Sequence, residues 1–237
     1  MSQSKPIRTY AIAALIGLGG GLVGSLIGPA LPIPHPAFDA AVQRAILAHP
    51  DVLPAAVEKL KADDGAKQIA QIGPQALKPF PGAVLGNPDG TRVLVEFMDF
   101  ACGYCKASEA DVARLIAADP QVKVVIRELP ILSPESVDAA KMALAAARQG
   151  KYAAFHHAMF ASGHPGADTI TAAARAAGLD MGAAQKAIAD PALQAEVESN
   201  LGLARALGIT GTPSWIAGGK LLSGALGYDG LVKALGG

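Results

Sequence analysis

The chain has 237 residues, 51% of them apolar, with 20 acidic against 20 basic side chains. It is long enough to bury one sizeable core, and its balanced charge lacks the basic excess that nucleic-acid binding needs. With Cys102 and Cys105 as the only cysteines, a scaffold stapled by several structural disulfides is excluded as well.

Lys5 and Arg8 are the only charged residues among the first 30. Tyr10 to Ala30 follows as 21 uncharged residues, about the length that crosses a bilayer as a helix, with basic residues on its N-terminal side only. Residues 1–30 therefore read as a signal anchor or signal peptide that sends the rest of the chain to the periplasm or another extracytoplasmic face. The nearest cleavage-like pattern, Gly28-Pro-Ala30, is not A-x-A, which favours an anchor at 10–30 over a cleaved peptide. Outside the cytoplasm a cysteine pair can persist oxidised.

Residues 31–81 form a second segment. Four prolines within Pro29-Ala-Leu-Pro-Ile-Pro-His-Pro36 cannot continue a helix and predict a stiff spacer. From Ala37 the apolar residues Phe38, Val42 and Ile46 recur every four positions until His49-Pro50-Asp51 breaks the pattern. Asp51 can cap a second short helix that carries Leu53, Val57 and Leu60. Helices this short do not hold themselves up in water. They must pack on the main domain or on another copy, which makes 37–60 a candidate homo-oligomer element. Lys61 to Pro81 is polar, then proline-bearing, and reads as a connection.

The main domain occupies 82–237. Ala83-Val-Leu-Gly86 suits a short edge strand, and Asn87-Pro-Asp-Gly90 a turn in which proline sets φ. Arg92-Val-Leu-Val-Glu-Phe-Met98 is apolar without alternation, as a strand buried on both faces would be. A helix is predicted from Cys102 to about Ala118, ended by Asp119-Pro120, and a second strand over Val122 to Leu129, which together make a parallel βαβ unit. Ser133-Pro134-Glu135 then starts a helical block of four or five helices, punctuated by Gly150, Gly163-His-Pro-Gly166, Gly178 and Asp190-Pro191. Strands return at Pro213–Ala217 and Lys220–Ser223, joined by Gly218-Gly219, before a closing helix over Tyr228–Leu235.

A strand that delivers a C-x-x-C to the first turn of a helix outlines a thiol redox site, because the helix N-terminus favours a thiolate on the first sulfur. No third cysteine exists for a structural bridge, so disulfide chemistry is directed at other molecules. No metal or cofactor is expected, since two thiolates leave a four-ligand zinc shell incomplete. Glu96 interrupts an apolar strand, where a buried carboxylate needs a partner or a task. Its alternatives at this stage are a proton acceptor near Cys105 and a solvated residue at a strand edge. His156 and His157 diverge by about 100° on a helix and read as packing and surface residues. Phe155, Phe160 and Trp215 read as core.

Four motifs in order resemble the DsbA-like family of exported thiol-disulfide oxidoreductases. They are Val93-Leu-Val-Glu-Phe-Met-Asp-Phe-Ala-Cys-Gly-Tyr-Cys105, Gly211-Thr-Pro-Ser214, Leu129-Pro-Ile-Leu-Ser-Pro-Glu-Ser136 and Gly150-Lys-Tyr-Ala-Ala-Phe-His156. With Asn87-Pro-Asp, the last two are similar to the ScsC-related branch. The resemblance implies an α/β thioredoxin fold with a helical insertion at about 133–198, and a Cys102-Cys105 redox-active disulfide. It implies that Cys102 is the exposed nucleophile and Cys105 the shielded resolving thiol. The dipeptide Gly103-Tyr104 lies between them, and Thr212 and a cis Pro213 lie against the disulfide. Glu96 matches the family's buried acid.

The implied function is disulfide exchange with unfolded or partly folded exported proteins, with a membrane redox partner to recharge the pair. Oxidase is the leading direction. The alternatives are an oligomeric isomerase or reductase, and a metal- or peptide-binding module. Strongly oxidising members carry histidine where this chain has Tyr104, which implies a less extreme oxidant.

Overall fold

The computed structural model describes residues 36–236. The membrane signal and nearly all of the proline spacer lie outside the described residues. The described residues divide into two compact units, with the boundary between Ala56 and Val57. The first holds α1 (Pro36–Ala48) and the start of α2 (Val52–Ala76), with Val42, Leu47, Val52 and Leu53 exposed. Among the described residues no helix is long and apolar enough to cross a membrane.

The second helix runs for 25 residues, past the expected end near Leu60 and through most of the expected connection. Between Leu60 and Gly73 there is no proline, and Gly65 costs about 1 kcal/mol without breaking the ladder. The far end is held by tertiary contacts that composition does not show. Ile69 and Ala76 are buried with Val95, Phe97, Val125 and Ile216 of the sheet. The buried Arg127 guanidinium donates to the carbonyls of Gln75, Ala76 and Lys78, which satisfies acceptors that a helix end leaves free.

Five strands form one sheet in the order β1-β3-β2-β4-β5. They are β1 (Val84–Gly86), β2 (Arg92–Met98), β3 (Val122–Glu128), β4 (Ser214–Ala217) and β5 (Lys220–Ser223). The parallel pair β2 and β3 is joined through α3 (Gly103–Ala118), whereas β1 on β3, β4 on β2 and β5 on β4 are antiparallel. The central strands are covered on both faces, as their continuous apolar runs require. Leu94, Met98, Val124 and Ile126 enter one core with α3 and the helical block, while Val95, Phe97 and Val125 enter the other.

The helical block contains α4 (Pro134–Arg148), α5 (Tyr152–Ala161), α6 (Ala167–Ala176), α7 (Met181–Ile188) and α8 (Pro191–Ala206), and α9 (Gly227–Ala234) closes the chain. Ser133 caps α4 by accepting the Ser136 N–H, with Pro134 at the helix start, where its missing N–H costs nothing. Six of the nine buried residues of α4 are alanine: Ala139, Ala140, Ala143, Ala145, Ala146 and Ala147. Small side chains let the neighbouring helices approach it closely. The insertion extends beyond 198, because α8 continues unbroken to Ala206 and buries Leu193, Val197 and Ala204 along its length.

Candidate active site

The site is built where β2 ends and α3 begins. Asp99 follows the strand with 1% of its surface exposed. One carboxylate oxygen accepts the Ala101 N–H at 2.8 Å, and the other accepts the N–H groups of Ile131 and Leu132 at 2.8 and 2.9 Å. Asp99 thereby ties the redox turn to the loop after β3. Asp99→Ala would strand three donors and is expected to cost about 2 to 3 kcal/mol in urea unfolding. An unchanged midpoint would show that water replaces the carboxylate. Nothing marks this role in the sequence, because the partners lie 32 and 33 residues away.

Cys102 is the N-cap of α3, in an extended conformation, and its Sγ accepts the Cys105 N–H at 3.4 Å. At a helix N-terminus that position stabilises negative charge on sulfur. The same Sγ lies 3.2 Å from the Thr212 carbonyl oxygen, and the Thr212–Pro213 bond is cis. Cys102 keeps 7% of its surface and Cys105 2%. Cys102, expected to be the exposed nucleophile, is far less open than the sequence suggested, since the Thr212 loop lies against it. Both cysteines are free thiols in this structure. Burial, and then the charge of Glu96, push the Cys105 thiol up. Between them, Tyr104 is 71% exposed, while a Cβ at Gly103 would meet nothing within 4 Å, so glycine is not sterically required there.

Glu96 sits in the middle strand of the sheet, opposite Ile126 on one side and Trp215 on the other, with 4% of its surface exposed. The solvated-edge alternative is therefore overturned. Burial, helped by the nearby Glu128, Cys102 and Glu109, pushes its carboxyl up to about 8. Beside it is a residue that the sequence reading did not single out. Glu128 ends β3, 1% exposed, and accepts the Tyr152 hydroxyl at 2.6 Å. Burial raises its carboxyl to about 8, against the lowering effect of that hydrogen bond.

His156 packs among Phe100, Tyr152 and Phe160, and its Nδ1 is buried without a partner. Burial, then the neighbouring His157, lower its imidazole to about 3, so it is neutral packing. His157 instead pairs with Glu109 of α3. Phe155, Phe160 and Trp215 are buried core residues.

A mixed sheet whose central strand delivers a cysteine-capped helix, with a cis-proline loop against the first sulfur, defines a redox domain of thioredoxin-like α/β fold. Residues 93–236 match the DSBA-like thioredoxin domain, and the chain belongs to this DsbA-like family of thiol-disulfide oxidoreductases. It is similar to a thioredoxin-like oxidoreductase from Silicibacter pomeroyi DSS-3, at 40% identity over 65% of this chain and 89% of that one, with a TM-score of 0.61. It is also similar to the thiol-disulfide exchange protein alpha-DsbA2 from Wolbachia pipientis, at 30% identity over 73% and 95%, with a TM-score of 0.67. A linker-deletion mutant of Proteus mirabilis ScsC shares the fold, at 24% identity over 87% and 97%, with a TM-score of 0.70. Among curated relatives, a Na(+)/H(+) antiporter NhaA 3 of Salinispora tropica is 28% identical over 156 residues, 64% of this chain. The chain spans only 24% of that antiporter's length.

Proposed function

We propose that the chain is exported and works as a disulfide oxidase, with Cys102 and Cys105 as its redox-active pair. Its substrates are cysteine thiols of unfolded or partly folded exported proteins. A client thiolate attacks Cys102; the Cys102–Cys105 bond breaks and a mixed disulfide forms, while the Cys105 thiolate takes a proton from Glu96. A second client thiolate then attacks the client sulfur, and Cys102 leaves as a thiolate onto the N-terminus of α3. The client has lost two electrons and the Cys102-Cys105 pair has gained them. A membrane redox partner reoxidises the pair, and an anchor at 10–30 would hold the domain beside it.

The observation that carries this reading is the position of the Cys102 sulfur, at the helix cap and against the Thr212 carbonyl, with a buried acid on the adjoining strand. The Thr212 hydroxyl is buried without a partner, which supports a polar contact with a docked client chain. The test is the equilibrium of the Cys102-Cys105 couple with glutathione. An oxidase is expected to have a potential at or above about −180 mV, whereas a value near about −270 mV would reassign the chain to a reductase. The oxidised protein should also transfer its disulfide, one for one, to a reduced unfolded protein.

One observation favours an isomerase as the second reading. Val42, Leu47, Val52, Leu53, Val57 and Leu60 are all exposed, and so many apolar side chains on two helices consecutive in the chain suit self-association. If copies associate through 37–60, light scattering should give a dimer or trimer, and Leu47→Asp with Leu53→Asp should return it to a monomer. Rescue of scrambled disulfides by the oligomer alone would establish isomerase activity; a wild-type monomer would leave the oxidase.

A further inference from the structure

With Glu96 serving Cys105, a second buried carboxylate stands beside it without a task. On β2 and β3, Glu96 faces Ile126 and Met98 faces Glu128. Alternate residues of a strand share a face, so Glu96, Met98, Ile126 and Glu128 all project to one side. That side carries α3 and the helical block, since Met98 and Ile126 belong to their core. The two carboxylates are thus diagonal neighbours across the ladder, 4% and 1% exposed. Tyr152, the first residue of α5, donates its hydroxyl to Glu128 Oε1 at 2.6 Å, a bond that favours the ionised form of that carboxyl.

We propose that Glu128, held by Tyr152, is a positioning residue for disulfide exchange: its charge sets how tightly Glu96 holds the proton of Cys105, so the helical insertion tunes the redox pair from behind. This deepens the reading of Glu96 as the group that exchanges a proton with Cys105, giving it in one direction and accepting it in the other, and rests on it. When a mixed disulfide on Cys102 resolves, the Cys105 thiol passes its proton to Glu96 and its sulfur attacks Cys102. The Cys102–Cys105 bond forms, and the client sulfur leaves as a thiolate.

The ionisable groups bearing on the pair come from every element packed around it. They are Cys102, Cys105 and Glu109 of α3 and its cap, Asp99 of the turn, and Tyr152 of α5. None of these is a cation, and His156, its ring centre 5.9 Å from that of Tyr152, is neutral. Two carboxylates in such a setting titrate as a coupled pair, each charge strengthening the other's hold on its proton. Glu128→Gln removes one charge, so Glu96 becomes a weaker base that ionises at lower pH. Tyr152→Phe acts in the same direction. The hydroxyl favours ionised Glu128, and without it Glu128 keeps its proton and no longer repels charge on Glu96.

The experiment mixes the reduced full chain with saturating oxidised glutathione and follows release of glutathione from Cys102 across about pH 4 to 10. Glu128→Gln and Tyr152→Phe should each lower the midpoint of the acid limb by about one pH unit, and Glu128→Asp, which restores the charge, should move it back. Midpoints that stay at the wild-type value in both variants overturn the proposal, including where their stability falls. Glu96→Gln separates the two levels. If it keeps the wild-type acid limb, the acceptor reading itself fails and this inference with it. If it flattens that limb while the Glu128 and Tyr152 variants leave the midpoint in place, only the role of Glu128 fails.

Discussion

Cys105→Ala is expected to accumulate mixed disulfides with thiol-bearing proteins, while Cys102→Ala accumulates none and its exchange falls to background. The asymmetry follows from position on α3. Cys102 caps the helix, where its sulfur accepts an N–H and touches the Thr212 carbonyl. Cys105 lies one turn inside, 2% exposed, with its thiol proton held by burial and by the charge of Glu96. On the proposed mechanism a client sulfur meets Cys102 first, and escape requires a second thiol in line with the new bond. Without Cys105 that second thiol is missing and the adduct persists. Non-reducing gels of the two variants after incubation with a reduced unfolded protein read the result directly. Equal trapping by both would overturn the division of roles.

Glu96→Gln should slow exchange by about 100-fold, the scale of a lost proton acceptor, and should also make the protein more stable near neutral pH. The sign follows from burial. The folded carboxyl titrates near about 8, against about 4.5 when exposed, so the unfolded chain releases this proton at lower pH than the folded one. Stability is therefore fully present below about pH 4.5 and is lost as pH rises towards about 8. At pH 7 the loss for this one group is about 3 kcal/mol. Glutamine does not titrate and escapes it. Urea unfolding at about pH 5 and pH 8 should show a steep fall for wild type and a shallower one for the variant, since Glu128 keeps its own slope. Parallel falls would mean that Glu96 ionises in the folded protein as it does in water.

The C-x-x-C at a helix start, the central strands, the cap at Ser133 and the cis-proline loop were legible because each is a local pattern. A continuous apolar run, a C-x-x-C after a strand and a Ser-Pro helix start each carry their physical reason within a few neighbouring residues. The extent of α2 was not legible in this way. Its second half is polar by composition and is held by Ile69 and Ala76 on the sheet and by Arg127, some fifty residues distant.

Glu96 illustrates the boundary between the two kinds of information. Its identity and strand position are sequence facts, yet burial depends on strand order, and only pairing with β3 and β4 on either side places it in the middle of the sheet. Glu128 and Asp99 go further. Their partners, Tyr152 and the N–H groups of Ile131 and Leu132, lie 24 to 33 residues away, and such partnerships leave no periodic trace. By itself the sequence determined the family and the place of the cysteine pair at a helix start, because a C-x-x-C after an apolar strand is a pattern complete within one turn. Only the tertiary structure decided how far Cys102 is shielded and which acids share its surroundings, because desolvation and charge coupling act between residues that folding alone brings together.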